Sequence, residues 1–137
     1  MTSIDEYIDY QLDAEKKYGQ NTVVFYENGS FYELYGVDND KEKVGQLNRV
    51  SEILNKAIRL RNKKILENSR KNPLLVDFPV AHADKHIKSL IGSGFTIVFV
   101  EQITKPPNPK RALTRVLSPI TYLVDEFEKE VSDKIKT

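Results

Sequence analysis

The sequence predicts an α/β domain, a mixed sheet of about five to six strands flanked by helices. Three observations carry this. Stretches with helical apolar spacing alternate along the chain with short runs that suit strands. Phe95-Thr96-Ile97-Val98-Phe99-Val100 is apolar on both faces, which places it inside a sheet covered on both sides. Val23-Val24-Phe25-Tyr26 and Phe31-Tyr32-Glu33-Leu34-Tyr35 flank Asn28-Gly29, a strong short-range signal for a type I′ hairpin.

Each element has its own local reason. Over residues 4–18, Ile4, Tyr7, Ile8, Leu12 and Tyr18 follow a roughly helical spacing. Ser3 and Glu6 are placed as a capping box, and Gly19 sits where a glycine stops a helix. A strand over 22–27 enters the hairpin, and Gly36 releases its return strand. Asp38, Asn39 and Asp40 are N-cap candidates for a helix over 41–54, which Gly45 weakens in the middle. Ala57-Ile58-Arg59-Leu60-Arg61 alternates as a strand with a charged polar face. Residues 65–73 read as a loop, because Asn68, Ser69, Asn72 and Pro73 break regular structure. Leu74–Phe78 is a short buried strand ended by Pro79. A helix over 83–91 closes on Gly92-Ser93-Gly94 and leads into the central strand. Pro106, Pro107 and Pro109 make an extended loop before a last strand over 111–117. An acidic helix over 125–136 ends the chain, with Phe127, Val131 and Ile135 spaced four apart.

Composition limits the function classes. The 137 residues make one domain with room for a core, and 39% hydrophobic with 30% charged residues is a globular balance. No apolar run approaches a membrane span, so no membrane partner is expected, and the acidic amino terminus is not a signal peptide. With no Cys there is no disulfide framework, thiolate metal site or Cys nucleophile. The net charge of +1 hides an uneven distribution. Residues 1–15 hold five acids and no base, whereas 56–71 hold seven bases against Glu67 alone. Lys105, Lys110, Arg111 and Arg115 add a second basic segment. Such a distribution suits a face for a polyanion, and equally a solvated surface of uneven charge.

Alternation puts Phe31, Glu33 and Tyr35 on one face of their strand, and Tyr32 and Leu34 on the other. An aromatic beside a hairpin turn, with a carboxylate two residues on, is either packed against a neighbour as part of the core or exposed for recognition.

Gly29-Ser30-Phe31-Tyr32-Glu33-Leu34-Tyr35 resembles the Gly-Asp-Phe-Tyr-Glu-Leu-Phe segment of the amino-terminal domain of MutS-family mismatch-repair proteins, with Ser30 for Asp and Tyr35 for Phe. The likeness continues in order through Pro79, His82, Gly94, Glu101-Gln102 and Leu117-Ser118-Pro119-Ile120-Thr121. It covers about residues 5–121. Asp77 and Ile120 stand for family glycines, His86 stands for a Tyr, and one residue is added between Pro79 and His82. Tyr18–Thr22 with Gly29–Phe31 is most similar to the giant-virus and octocoral-mitochondrial subgroup.

The resemblance implies a mismatch-recognition domain over 1–121, with residues 122–137 as a closing helix leading toward a further domain. Phe31 is then the minor-groove wedge and Glu33 the residue that hydrogen-bonds the mispaired base. Glu33 accepts from a base N–H, or donates to a ring acceptor once protonated. The candidate phosphate contacts are Arg59, Arg61, Lys63, Lys64, Arg70, Lys71, Lys110 and Arg111. The implied partners are duplex DNA with mismatches or small loops, and a MutS-type dimer partner in the full-length protein. The implied setting is intracellular. No catalytic residue, metal or cofactor is expected in this chain, since ATP and Mg belong to the ATPase of full-length family members.

Four rival readings stand beside this one, the last of which keeps the family fold. Asp13…Glu15-Lys16-Lys17 contains a nuclease-like Glu-x-Lys on a predicted helix. His82 and His86 stand four apart, a spacing that can hold a metal but lacks a third ligand. Phe31 can instead serve a protein-interaction module, or the domain can belong to a non-reading clamp subunit.

Overall fold

A computed structural model describes residues 3–136, and the side chains of 3–135. Helix α1 (Ser3–Tyr18) leads into β1 (Thr22–Asn28), β2 (Phe31–Asp38) and β3 (Lys43–Val44). Helix α2 (Leu47–Leu54), β4 (Arg59–Leu60) and β5 (Leu74–Pro79) follow. A 3-10 turn (Val80–His82) opens α3 (Ala83–Gly92), and β6 (Thr96–Gln102), β7 (Arg111–Leu117) and α4 (Pro119–Lys136) complete the chain.

The seven strands form one mixed sheet in the order β4-β5-β2-β1-β6-β7, with β3 paired to the end of β2. Only β1 and β6 run parallel, Val24 opposite Val98 and Phe25 opposite Phe99. The strand count exceeds five to six because β3 and β4 are two-residue strands at the sheet margin.

Alternation along the central strands divides the core. Val23, Phe25, Tyr32, Leu34, Phe78, Ile97 and Phe99 face α2 and α3, while Val24, Tyr26, Tyr35, Val98 and Val100 face α1. Phe25 centres the first layer, its ring 5.2–5.4 Å from those of Tyr32, Phe78 and Phe99. Truncating such a side chain to alanine costs about 3–5 kcal/mol.

Four local expectations need correction. Helix α1 buries Ile4, Tyr7, Ile8, Gln11 and Ala14, whereas Leu12 and Tyr18 stay largely exposed. Helix α2 begins at Leu47, because Gly45 and Gln46 take positive φ of 89° and 44°, which a right-handed helix excludes. A Cβ on Gly45 would lie 3.0 Å from the Tyr35 carbonyl oxygen, so the chain turns there as β3. Asn39 therefore caps a tight turn instead of a helix, its Oδ1 accepting from the amides of Lys41 and Glu42.

Helix α4 begins at Pro119, six residues before the expected start. Ser118 Oγ accepts from the Thr121 amide at 3.2 Å, and Thr121 Oγ1 accepts from the Ser118 amide at 2.8 Å. This reciprocal cap with proline at the first helical position is a strong start signal. Past Tyr122 the helix exposes Leu123, Val124, Phe127, Val131 and Ile135.

Candidate nucleic-acid interface

The hairpin tip sets the site. Asn28 pairs with Phe31, so the loop is Gly29-Ser30. Gly29 has φ 63°, and neither Asn28 nor Ser30 is among the residues with positive φ. Positive φ at the first central position alone is the type II′ pattern, one residue later than the predicted Asn28-Gly29 turn. The shift leaves the Asn28 side chain beside Glu33 on the returning strand.

The tip is braced from two sides. Gln102 Oε1 accepts from the Gly29 amide at 2.9 Å, and Gln102 Nε2 donates to the Gly29 carbonyl at 3.2 Å. The Val80 amide donates to the Ser30 carbonyl at 2.8 Å. Arg111 Nε donates to the Glu27 carbonyl at 2.6 Å, and the guanidinium lies 4.6 Å from the centre of the Tyr26 ring. On this fixed tip Phe31 is 42% exposed, whereas Phe25, Tyr26, Tyr32 and Tyr35 are each at most 4% exposed. Phe31 is the aromatic of this stretch that stays at the surface.

Glu33, Phe31 and Tyr35 share the α1 face, as alternation predicts. The Glu33 carboxylate accepts from Asn28 Nδ2 on one oxygen and from the Tyr35 hydroxyl at 2.8 Å on the other. Asn28 Oδ1 in turn accepts from Arg111 at 3.2 Å, and Arg61 lines the same cleft as Tyr35. Burial, followed by the charge of Glu33, pushes the Tyr35 hydroxyl well above the ordinary tyrosine range. Across the sheet from Glu33 lies Asp77, which Arg59 pairs at 3.1 Å. Asn28, Glu33, Tyr35, Arg61, Arg70 and Lys71 line a cleft of about 700 Å³ beneath the start of α1.

The predicted basic residues divide into two groups. Arg59 is engaged with Asp77, Arg70 forks onto Glu42 at 2.8–3.0 Å, and Arg111 buttresses the hairpin. Arg61, Lys63, Lys64, Lys71 and Lys110 are exposed. Arg61 and Lys71 share the cleft with Glu33.

The loop carrying these bases has more order than its composition suggests. Asn72 is 2% exposed and plugs it. Its Nδ2 reaches the carbonyls of Asn62, Ile65 and Glu67 at 2.9–3.2 Å, and its Oδ1 accepts from the Asn62 amide at 2.8 Å.

The rival chemistries find other employment for their residues. Glu15 accepts from Gln11 at 2.8 Å and from the Gly45 amide at 2.9 Å, tying α1 to β3. His86 is buried with its ring 4.4 Å from that of Phe78, while His82 is exposed. Burial first, then the charges of Lys85, Lys56 and His82, holds His86 below the usual histidine value. Among the described residues no cluster of three His, Asp or Glu side chains is placed for a metal.

Three polar residues support this region without any hydrophobic period to mark them: Gln11, Asn72 and Gln102. Gln11 is fully buried, accepts from the Val24 amide at 2.9 Å and donates to the Thr22 carbonyl at 2.7 Å. Ladder pairing between β1 and β2 begins only at Tyr26–Glu33, so Gln11 satisfies backbone that β2 does not reach. The signal available in the sequence was a glutamine at helical spacing from Tyr7 and Ile8.

Comparison with known proteins places this geometry. The family model for MutS domain I matches residues 10–126. A mitochondrial DNA mismatch repair protein MutS homolog of Sarcophyton glaucum is 24% identical across 88% of this chain and 14% of its own length. A putative DNA mismatch repair protein MutS homolog of Acanthamoeba polyphaga mimivirus is 30% identical across 87% of this chain and 10% of its own. The DNA mismatch repair protein MutS of Thermodesulfovibrio yellowstonii is 28% identical across 88% and 13%. The chain thus spans roughly a tenth to a seventh of these relatives. The match runs through the whole sheet, both hairpin strands and the Gln102 brace, and the chain belongs to the MutS domain I family.

Proposed function

We propose that this chain is a mismatch-recognition module, in which Phe31 enters the minor groove at a mispaired step and Glu33 hydrogen-bonds the displaced base. The observation that carries this reading is the exposed Phe31 on a braced hairpin tip, in a chain of this family. An apolar wedge unstacks a base step and kinks the duplex at a cost of a few kcal/mol. A mispaired step is easier to unstack and bend, so the penalty itself discriminates. Stacking on Phe returns about 1–3 kcal/mol whatever the base. Arg61, Lys63, Lys64, Lys71 and Lys110 would position the backbone without reading sequence. Arg59, Arg70 and Arg111 would act through the partners that hold them, and reach phosphate only by leaving them.

The module acts by binding, with no catalytic group of its own. In full-length members of this family any ATPase and dimer interface would lie outside the stretch that this chain matches. Binding of a matched duplex and a duplex with one mispair, at low salt, tests the proposal. The mispaired duplex should bind more tightly, and Phe31→Ala should abolish the difference while leaving the weak, salt-dependent binding common to both. Equal preference in the Phe31→Ala variant refutes the wedge. Absence of salt-dependent DNA binding with capture of a protein partner moves Phe31 to a protein interface.

A further inference from the structure

We infer that the cleft beneath the start of α1 is a second nucleotide site, which holds a further unpaired nucleotide of a small insertion beside the one that meets Phe31. This rests on the proposed mismatch reading and deepens it by naming a substrate class, DNA with two or more unpaired nucleotides on one strand.

Asn28 and Glu33 line this cleft of about 700 Å³, and both belong to the wedge hairpin. Glu33 follows Phe31 by two residues on the same strand face, roughly 7 Å along the strand. A nucleotide adjoining the one at the wedge is therefore within reach of the cleft. The volume lies in the range of about 300–1,000 Å³ for small-ligand sites. An unpaired nucleotide has no partner to leave, so turning its base out of the stack costs least.

The lining chemistry selects the class of ligand. Arg61, Arg70 and Lys71 share it with the carboxylates of Glu33 and Asp5. Glu42 holds Arg70 at 2.8–3.0 Å, so Arg61 and Lys71 are the cations offered to a ligand. A simple anion would be opposed by the two carboxylates, and an apolar ligand would strip water from charged groups. A nucleotide suits the mixture, because its phosphate takes the cations while its base presents N–H groups to a carboxylate.

The Asn72 plug sets both cations in place. Asn72 Oδ1 accepts from the Asn62 amide, next to Arg61, and Lys71 immediately precedes Asn72. The Arg61 amide in turn donates to the Pro73 carbonyl at 2.9 Å. A loop fixed in advance costs less to order when a ligand binds.

Titration of the full chain with four labelled duplexes of one flanking sequence tests this. One is matched, one has a T·T mispair, one has two extra thymidines in one strand, and in the last one of those two is made abasic. Salt is varied over about 50–200 mM. Two phosphate contacts on an unpaired strand should make log K fall with log salt more steeply, by about 1.4, for the two-thymidine duplex than for the mispair duplex. The abasic duplex should keep that slope and bind about tenfold more weakly, the discrimination of one base contact. Arg61→Ala combined with Lys71→Ala should weaken the insertion duplex more than the mispair duplex and bring the two slopes together, while Arg61→Lys should keep them apart. Equal slopes in the unaltered chain overturn the second site. So does an abasic duplex that binds as tightly as the two-thymidine one, or a double variant that melts as the parent does and weakens both duplexes equally. If Phe31→Ala removes the mispair preference while the slopes are equal, the wedge stands and the cleft falls. If neither mispair nor insertion is preferred to the matched duplex, the wedge falls and the cleft with it.

Discussion

Replacing Asn72 by alanine removes four hydrogen bonds in one step. Three of them end on loop carbonyls and one comes from the Asn62 amide. The amide has two protons for three carbonyls, so at a net of about 1 kcal/mol per proton donated or accepted the sum is about 3 kcal/mol. The loop is exposed outside its plug, so water can reach part of what is vacated, and the expected loss is about 2–3 kcal/mol. Against a total stability of about 5–15 kcal/mol for a domain, this is severe. Aspartate separates the mechanism from a simple loss of volume. An aspartate side chain in this place would still accept from the Asn62 amide, but its carboxylate would face three carbonyl oxygens where a donor stood. Asn72→Asp should therefore be less stable than Asn72→Ala, although it is closer in shape. Urea unfolding followed by circular dichroism measures both. With a slope of about 1–3 kcal/mol per molar, the alanine variant should shift the midpoint by roughly 1–3 M. A loss under about 1 kcal/mol, or an aspartate variant more stable than the alanine one, would refute the plug.

Three further outcomes follow from the same geometry. His86 is held below its usual value in the folded chain, so on acidification the unfolded chain takes up the proton first. Its contribution is fully present above the ordinary histidine value and is lost as pH falls toward the folded one; His86→Phe should flatten melting temperature against pH in that window, and an unchanged slope counts against it. A Cβ on Gly36 would lie 2.7 Å from Leu47 Cβ, so Gly36→Ala must push α2 outward and should cost about 1–3 kcal/mol; a melting temperature equal to the parent's would contradict the close approach. Gln102→Ala removes both bonds to Gly29 and should destabilise by about 1–2 kcal/mol. It should also reduce the mispair preference in the duplex titration while non-specific binding persists; full retention of that preference removes Gln102 from the tip's support.

What the sequence made legible was the partition of side chains. The last strand was expected over 111–117 and runs Arg111–Leu117, and the faces of β2 follow its alternation from Phe31 to Tyr35. Hydrophobic period reports which side chains leave water, and that much is local. The supports of the site are not local in this sense. Gln102 meets Gly29 across 73 residues and Gln11 meets Val24 across 13, in both cases to satisfy backbone groups. No periodicity encodes a side chain that completes a strand or holds a turn. The helix starts failed for related reasons. Gly45 was read as a weak helical residue, but its positive φ serves the close approach to Tyr35. Ser118-Pro119-Ile120-Thr121 carried a full start signal that acidic composition further on obscured.

The two departures from the family segment are unequal for the same physical reason. Ser30 is the second residue of the II′ loop, its side chain exposed and its carbonyl bonded to the Val80 amide. The turn thus uses its backbone, and serine serves as well as aspartate. Tyr35 is 4% exposed and adds a hydroxyl that ends on Glu33. A buried hydroxyl needs a partner, and here it donates to the Glu33 carboxylate. The added hydroxyl therefore reaches Glu33, the carboxylate proposed to read the base, whereas Ser30 contributes its backbone to the turn. Under the proposed reading Tyr35→Phe should change the ranking of mispairs in a duplex titration and Ser30→Asp should leave it unchanged; equal effects of the two would refute the distinction.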